Sequence, residues 1–335
     1  MRQLQAALRN LRTNLQVFCL ICPVDPLIHT DNGLSQIMYL SEKRLPFVYI
    51  AGISFGCVGP VTAAGVIVIG LADTLVGLLI SQLTRKGAPF IASKFSDNLN
   101  MKTGTVSHSR PELLIANGAS ADVFRYLGLP FCLNHGGTDA SAFNQQNVFD
   151  IAMGYYNASL SGTNLNYGLG SLESGNSCCL ENLIFGDEVV GFVSPLIGGI
   201  EVSTYTLAED LIHKVGPGGN FLVEEHTFKH VRDFWEPSVF ASQTYDQWRA
   251  SNKKDMNVRL NERVKKIIAK GPKYSLSNKI VSKLDDCGKG RKMRRQKIIK
   301  NIVDLIIEAL VRTSIGLRLF NFLVGERRFY LFLSR

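Results

Sequence analysis

The feature that most constrains this chain is an alternation. Between Leu15 and Gly199, short β-rich runs take turns with helical stretches. Val17–Ile21, Phe47–Ala51, Phe90–Ala92, Leu129–Leu133 and Leu160–Tyr167 read as strands. Helices are expected from Pro60 to about Leu83, over Pro111–Leu127, over Asn144–Asn157 and across Cys179–Phe192. Strict βα alternation implies a parallel sheet, because a parallel neighbour is reached only through a crossover. So many units in a row imply a barrel or a doubly wound sheet. A closed (β/α)8 barrel needs eight strands over roughly 250 residues, and only five or six are legible. Either the sheet is open or the barrel lacks its first strands.

Beyond Gly199 the pattern changes. Thr204 to Val215 reads as one helix with Leu207, Leu211, Ile212 and Val215 on a shared face, capped by Ser203 or Thr204 and stopped at Gly216-Pro217. The aromatic stretch from Phe234 to Trp248 contains both tryptophans of the chain, which implies a packed cap rather than a loose connector.

Charge is unevenly placed. The net +9 arises from Gly288 to Arg335, where twelve Lys/Arg face three Asp/Glu; the first 287 residues carry 25 of each. A basic surface spread over the fold is excluded, and no nucleic-acid partner is expected. The tail is basic from Lys289 to Lys300 and amphipathic from Ile298 to Val311, a pattern that binds membrane surfaces or acidic partners. Val61 to Ile80 is apolar apart from Thr62, Asp73 and Thr74, and long enough to span a bilayer. Asp73 near its centre argues against that, and Pro60 fits the first position of a helix, so a buried barrel helix is expected and no transmembrane segment. The first fifteen residues hold three arginines and no apolar signal core. Seven cysteines without framework spacing suit a reducing, cytoplasmic setting.

Two metal-like patterns are weak. Cys19 and Cys22 would point to opposite faces of a strand. His226 and His230 would share a helix face, but no His-Glu-x-x-His and no third ligand accompany them. No metal is expected, and a metal-dependent barrel hydrolase using His226 and His230 remains as an alternative. Gly216-Pro217-Gly218-Gly219 lacks the Lys-Ser/Thr of a phosphate loop and reads as a helix stop.

Several blocks, in order, carry a resemblance. They are Gly59-Pro60-Val61-Thr62-Ala63-Ala64-Gly65, Lys86-Gly87-Ala88-Pro89, Met101-Lys102-Thr103-Gly104, Gly128-Leu129-Pro130, Thr138-Asp139, Gln146 and Ser161-Gly162-Thr163-Asn164. Leu172-Glu173-Ser174-Gly175 and Gly199-Ile200-Glu201-Val202 follow. Val215 to Leu222, then Glu225-His226-Thr227, His230, Arg232, Trp235 and Pro237, complete the set. Together, over about Leu8 to Leu284, the chain resembles the trimethylamine methyltransferase family. Where that family tends to show Asp-Ser-Lys and Asp-x-Gln-Ala-Gly-x-Glu, this chain has Asp139-Ala140-Ser141 and a run from Asn144 to Asp150. Nothing from Gly288 onward matches.

The resemblance implies an α/β fold of TIM (β/α)8 type, incomplete because its N-terminal strands are missing, with a C-terminal helical cap. It divides the chain into a partial barrel with cap (1–287, the cap being 200–287) and the tail (288–335). It implies transfer of a methyl group from a methylated amine to the Co(I) of a separate corrinoid protein, with no cofactor held tightly by this chain. The family's trimethylamine enzymes carry pyrrolysine, expected near Leu172 to Gly175; it is absent here, which favours a quaternary amine such as glycine betaine over trimethylamine. The residues implied in catalysis are Glu173, Ser174 and His226; those implied in substrate binding are Asp139, Gln146, Tyr167 and His230. A non-catalytic, truncated remnant of the family stays open as an alternative, and so does a homo-oligomer.

Overall fold

The computed structural model describes residues 19–271. The tail from 288 onward, with its basic and amphipathic stretches, lies outside the described residues, as do Val17, Phe18 and the last part of the expected cap.

Five strands form one parallel sheet: β1 (Cys19–Ile21), β2 (Phe47–Phe55), β3 (Ile91–Leu99), β5 (Phe131–Asn134) and β6 (Leu165–Tyr167). A short β4 (Val106–Ser107) folds back antiparallel on the end of β3. Each parallel strand lies beside its predecessor, in the order β1-β2-β3-β5-β6. A doubly wound sheet would reverse direction part-way; unbroken sequential order is that of an arc of barrel wall. The fold is therefore α/β with a parallel half-barrel.

The crossovers are α1 (Asp31–Glu42), α2 (Ala63–Thr84), α3 (Pro111–Tyr126) and α4 (Gln145–Leu160), followed by α5 (Leu180–Gly198). Alternation along the strands separates two apolar layers. Phe47, Tyr49, Phe131 and Leu133 face the helices and pack with Leu71, Leu78 and Phe124. Val48, Ile50, Ile91, Cys132 and Leu165 face the other way, with Phe95 and Tyr167 beside them. Burial on both faces explains why these strands read as near-continuous apolar runs.

Boundaries depart from expectation where polar residues or turns intervene. β3 runs on to Leu99, because Lys94, Ser96 and Asn98 stay in register with β2 although they are polar. β6 starts only at Leu165; the preceding residues are the end of α4 and the Ser161-Gly162 turn. Pro60 is not the first residue of α2: Thr62 occupies the N-cap and the helix opens at Ala63. Pro111 does start α3. The single helix expected over Thr204–Val215 is two, α6 (Thr204–Leu207) and α7 (Glu209–Val215), broken at Ala208, whose φ is 51°. Ser203 caps the first, and Gly216 ends the second with a φ of 67°.

Helix α2, expected as a buried barrel helix, is buried on the face that packs on the sheet and exposed on the other. Val66, Gly70, Asp73, Thr74, Gly77 and Ser81 face the sheet. A Cβ at Gly77 would stand 2.5 Å from the Tyr49 ring, so glycine is what lets the helix settle on β2. The outward face keeps Val68 at 66% and Leu83 at 75% exposure. By length and composition α2 is able to cross a membrane; here it packs on β2 and β3 and against α1 and α3.

The chain beyond the sheet packs on α5. Ile151 and Tyr155 of α4, Phe185 and Val189 of α5, Val239, and Leu260 and Val264 of the helix Met256–Lys270 make one core. Burying side chains of this size stabilises by about 1.5–3 kcal/mol each. Glu188, 3% exposed, accepts the backbone N–H groups of Ser238, Val239 and Phe240 at 2.8 Å each and the Ser238 hydroxyl at 2.6 Å, which fixes the aromatic stretch to α5. Trp235 packs edge-on against Phe192 at 5.5 Å.

Candidate functional site at the strand ends

Loops after the C-terminal ends of parallel strands gather at one rim, where barrel sites form. Asp139 sits in the loop after β5 and is half-buried. Its carboxylate accepts hydrogen bonds from the Ser107 hydroxyl, from the His108 backbone N–H at 2.6 Å and from the Ser174 hydroxyl at 2.8 Å. Burial alone would raise its pKa; these donors, with Ser109, outweigh burial and hold the carboxyl below its ordinary value. The result is a fixed anion at the rim.

Ser174 reaches Asp139 from a hairpin, β7 (Ser171–Leu172) and β8 (Ser177–Cys178), joined by a tight turn. Glu173 (φ 50°) and Ser174 (φ 52°) both adopt the left-handed conformation that side chains disfavour. The surroundings compensate: Glu173 N–H donates to Ala140 O at 3.0 Å and Ser174 N–H to Thr138 O at 2.9 Å. Non-glycine residues held this way cost of order 1–3 kcal/mol each and concentrate at functional sites.

His108 stands beside this group, edge-on to the Phe95 ring at 5.0 Å. Burial lowers its pKa, against the opposing pull of Asp97 and Asp139. Asp97 points from β3 into the same space and is 8% exposed, with Oδ1 unpartnered among the described residues. Tyr167, at the end of β6, faces the inner layer with its hydroxyl buried. Burial first, then the Cys132 thiol, push its phenol well above the ordinary range, with Ser93 acting against the shift.

Of the residues singled out from sequence, the structure joins Asp139 and Ser174 directly and sets Tyr167 on the neighbouring strand. Glu173 is exposed at the hairpin turn, and Gln146 is exposed in the first turn of α4. His226 and His230 lie on α8 (Glu225–His230) with ring centroids 4.6 Å apart, both against Tyr205. His230 Nδ1 is 2.7 Å from Asp233 Oδ2, and its Nε2 is 3.2 Å from the Tyr205 hydroxyl. Among the described residues no hydrogen bond or ring contact ties α8 to the Asp139 group, and no three His, Cys, Asp or Glu side chains gather as metal ligands.

Sequence reasoning missed His108, Asp97, His135 and the group around Asp25. Asp25 accepts from Gly52 N–H at 2.9 Å, and His29 bridges the Tyr49 hydroxyl (2.6 Å) and Asp73 (3.4 Å). Burial and then Asp73 push Asp25 up to about 6. Lone histidines and aspartates carry no spacing signal; only their places after strand ends were available as a clue.

A model of the family described as "Trimethylamine methyltransferase (MTTB)" matches residues 1–295. The trimethylamine methyltransferase MttB of Desulfitobacterium hafniense is 29% identical over 266 residues, 79% of this chain and 54% of its own length. A glycine betaine methyltransferase of the same species is 29% identical over 267 residues, 79% of this chain and 56% of its own. Trimethylamine methyltransferase MttB2 of Methanosarcina mazei is 30% identical over 249 residues, covering 74% and 50%. The chain thus spans about half the length of the curated relatives it matches.

Proposed function

Because the chain belongs to the trimethylamine methyltransferase (MTTB) family, we propose that its rim holds the ammonium head of a methylated amine and presents one methyl group to a separate corrinoid protein. The observation that carries this reading is the Asp139 carboxylate, kept ionised by Ser107, His108 and Ser174 where strand ends open. A quaternary amine such as glycine betaine suits that site better than trimethylamine. Its C–N bond breaks with the electron pair staying on nitrogen, so a neutral amine departs without prior protonation.

The partner's reduced cobalt supplies the nucleophile, which leaves this chain with positioning and electrostatics. Asp139 attracts the cation, and the Tyr167 ring adds a cation–π contact from the inner layer. Ser174 holds Asp139; Glu173 and Gln146 line the exposed approach to the amine, and His226 and His230 belong to the cap side. The odd cysteine count without framework spacing in the sequence is what suggests a cytoplasmic location.

The test mixes the purified chain with a corrinoid protein reduced to Co(I) and follows loss of the Co(I) spectrum. Glycine betaine or choline is expected to drive it, and trimethylamine is not. Turnover of trimethylamine alone would contradict the substrate class; no methylation with any of the three would favour the non-catalytic alternative.

A further inference from the structure

Between the first turn of α3 and the second and third turns of α4, at the end of β5, lies a cavity of about 210 Å³. Pro111, Leu114, Phe149 and Met153 form apolar walls, with His108 and Asp150 at its side. Phe131 and Leu133 of β5 face the helices, so the same alternation sends His135, two residues on, to the helix side where the cavity lies. His135 is 3% exposed, and neither ring nitrogen has a hydrogen-bond partner among the described residues.

Of the polar groups nearby, the Asn117 amide nitrogen and the Thr138 hydroxyl are committed elsewhere, while Asn117 Oδ1 and Asn134 Oδ1 are, like the ring, without a partner among the described residues. Asn117 donates to Asn134 O at 3.1 Å, and Thr138 donates to Asp150 Oδ2 at 2.6 Å. The helix cannot shift to satisfy the ring, because α4 is seated on the strand end. A Cβ at Gly154 would lie 2.2 Å from His135 O. A buried imidazole with both nitrogens idle beside open space calls for an occupant. Burial drives its pKa down to about 3, so the ring is neutral and offers one donor and one acceptor.

We propose that this cavity binds a small, uncharged molecule with an apolar body and one hydroxyl or carbonyl group, anchored by His135. The walls disfavour a net charge, and the carboxylate at the side already accepts from Thr138. The assignment stands independently of methyl transfer.

Phenol is the probe, titrated against the whole chain by ligand-detected NMR, with toluene and tetramethylammonium in parallel. Saturable phenol binding is expected, with toluene at least tenfold weaker. His135→Phe should weaken phenol about tenfold or more, and Met153→Trp, which fills the space, should abolish it. Absence of saturable phenol binding, the result for a cavity holding only water, would overturn the proposal. So would equal binding of toluene, phenol binding undiminished in either variant, or displacement of phenol by tighter-binding tetramethylammonium. Thermal unfolding checks that each variant is folded; if His135→Phe is not, Met153→Trp, placed at the cavity's exposed side, decides.

Discussion

Ser174 Oγ lies 2.8 Å from Asp139 Oδ1, a side-chain hydrogen bond that, beside the backbone bonds of Glu173 to Ala140 and of Ser174 to Thr138, joins the hairpin after β6 to the loop after β5. Asp139 is the centre of the link, because the Ser107 hydroxyl and the His108 N–H converge on it too. Asp139→Ala leaves those donors without their acceptor, at a cost of about 1–3 kcal/mol. The folded carboxyl ionises more readily than the unfolded one. Its contribution is therefore complete above the unfolded value near 4 and is lost as pH falls through the folded one. Urea unfolding at pH 7 and pH 3 should show a gap between wild type and Asp139→Ala that narrows at pH 3; a gap that widens would refute this account of the group.

Lys94 is the opposite case, a buried cation with no carboxylate in ion-pair reach among the described residues. It points from β3 toward α2, is 1% exposed, and its ammonium meets Ser96 Oγ at 2.5 Å. Burial lowers its pKa from 10.5 to about 7. Between those values the unfolded chain keeps a proton that the folded chain has released, so stability rises with pH across that window. Lys94→Met should stabilise by roughly 2–4 kcal/mol at pH 6.5, and the advantage should shrink by pH 9.5. Equal effects at both pH values would show that the lysine is not buried as a charge.

Glu188 ties the aromatic stretch to α5 through three backbone N–H groups. Glu188→Ala orphans all three and should cost roughly 3 kcal/mol or more. Hydrogen exchange localises the effect: the amides of Ser238 to Phe240 should lose protection, and those of β2 and β3 should keep theirs. Uniform loss over the sheet would mean that the cap and the half-barrel unfold as one unit.

How much of this was legible in the sequence depends on what each element asks of its residues. The inner strands were readable because burial on both faces makes an apolar run such as Phe47 to Ala51 unavoidable, whereas β1, exposed at Cys19 and Leu20, was readable only from its place in the alternation. The second half of β3 was not, since Lys94, Ser96, Asp97 and Asn98 are held in the sheet by pairing with β2 rather than by apolar alternation. Helix α1 escaped notice with Gly33 in its first turn, although Thr30 caps it by accepting from Gly33 N–H at 3.2 Å. Asp139 stood out by its place after a strand end and Ser174 by the resemblance; no local rule couples positions 35 residues apart. Only the fold brings them together, through two left-handed residues that sequence periodicity does not signal. His108 and His135 belong to the same class, isolated histidines whose surroundings come from other strands and helices.

The central claim is that the ionised Asp139 carboxylate holds the ammonium head of the methyl donor. Its most direct test is Asp139→Asn, which keeps the shape and removes the charge, compared with wild type for methylation of Co(I) corrinoid protein over a range of glycine betaine concentrations. The account predicts at least a tenfold loss in kcat/KM, with thermal unfolding showing the variant still folded. A folded Asp139→Asn that methylates the corrinoid protein as efficiently as wild type would contradict it.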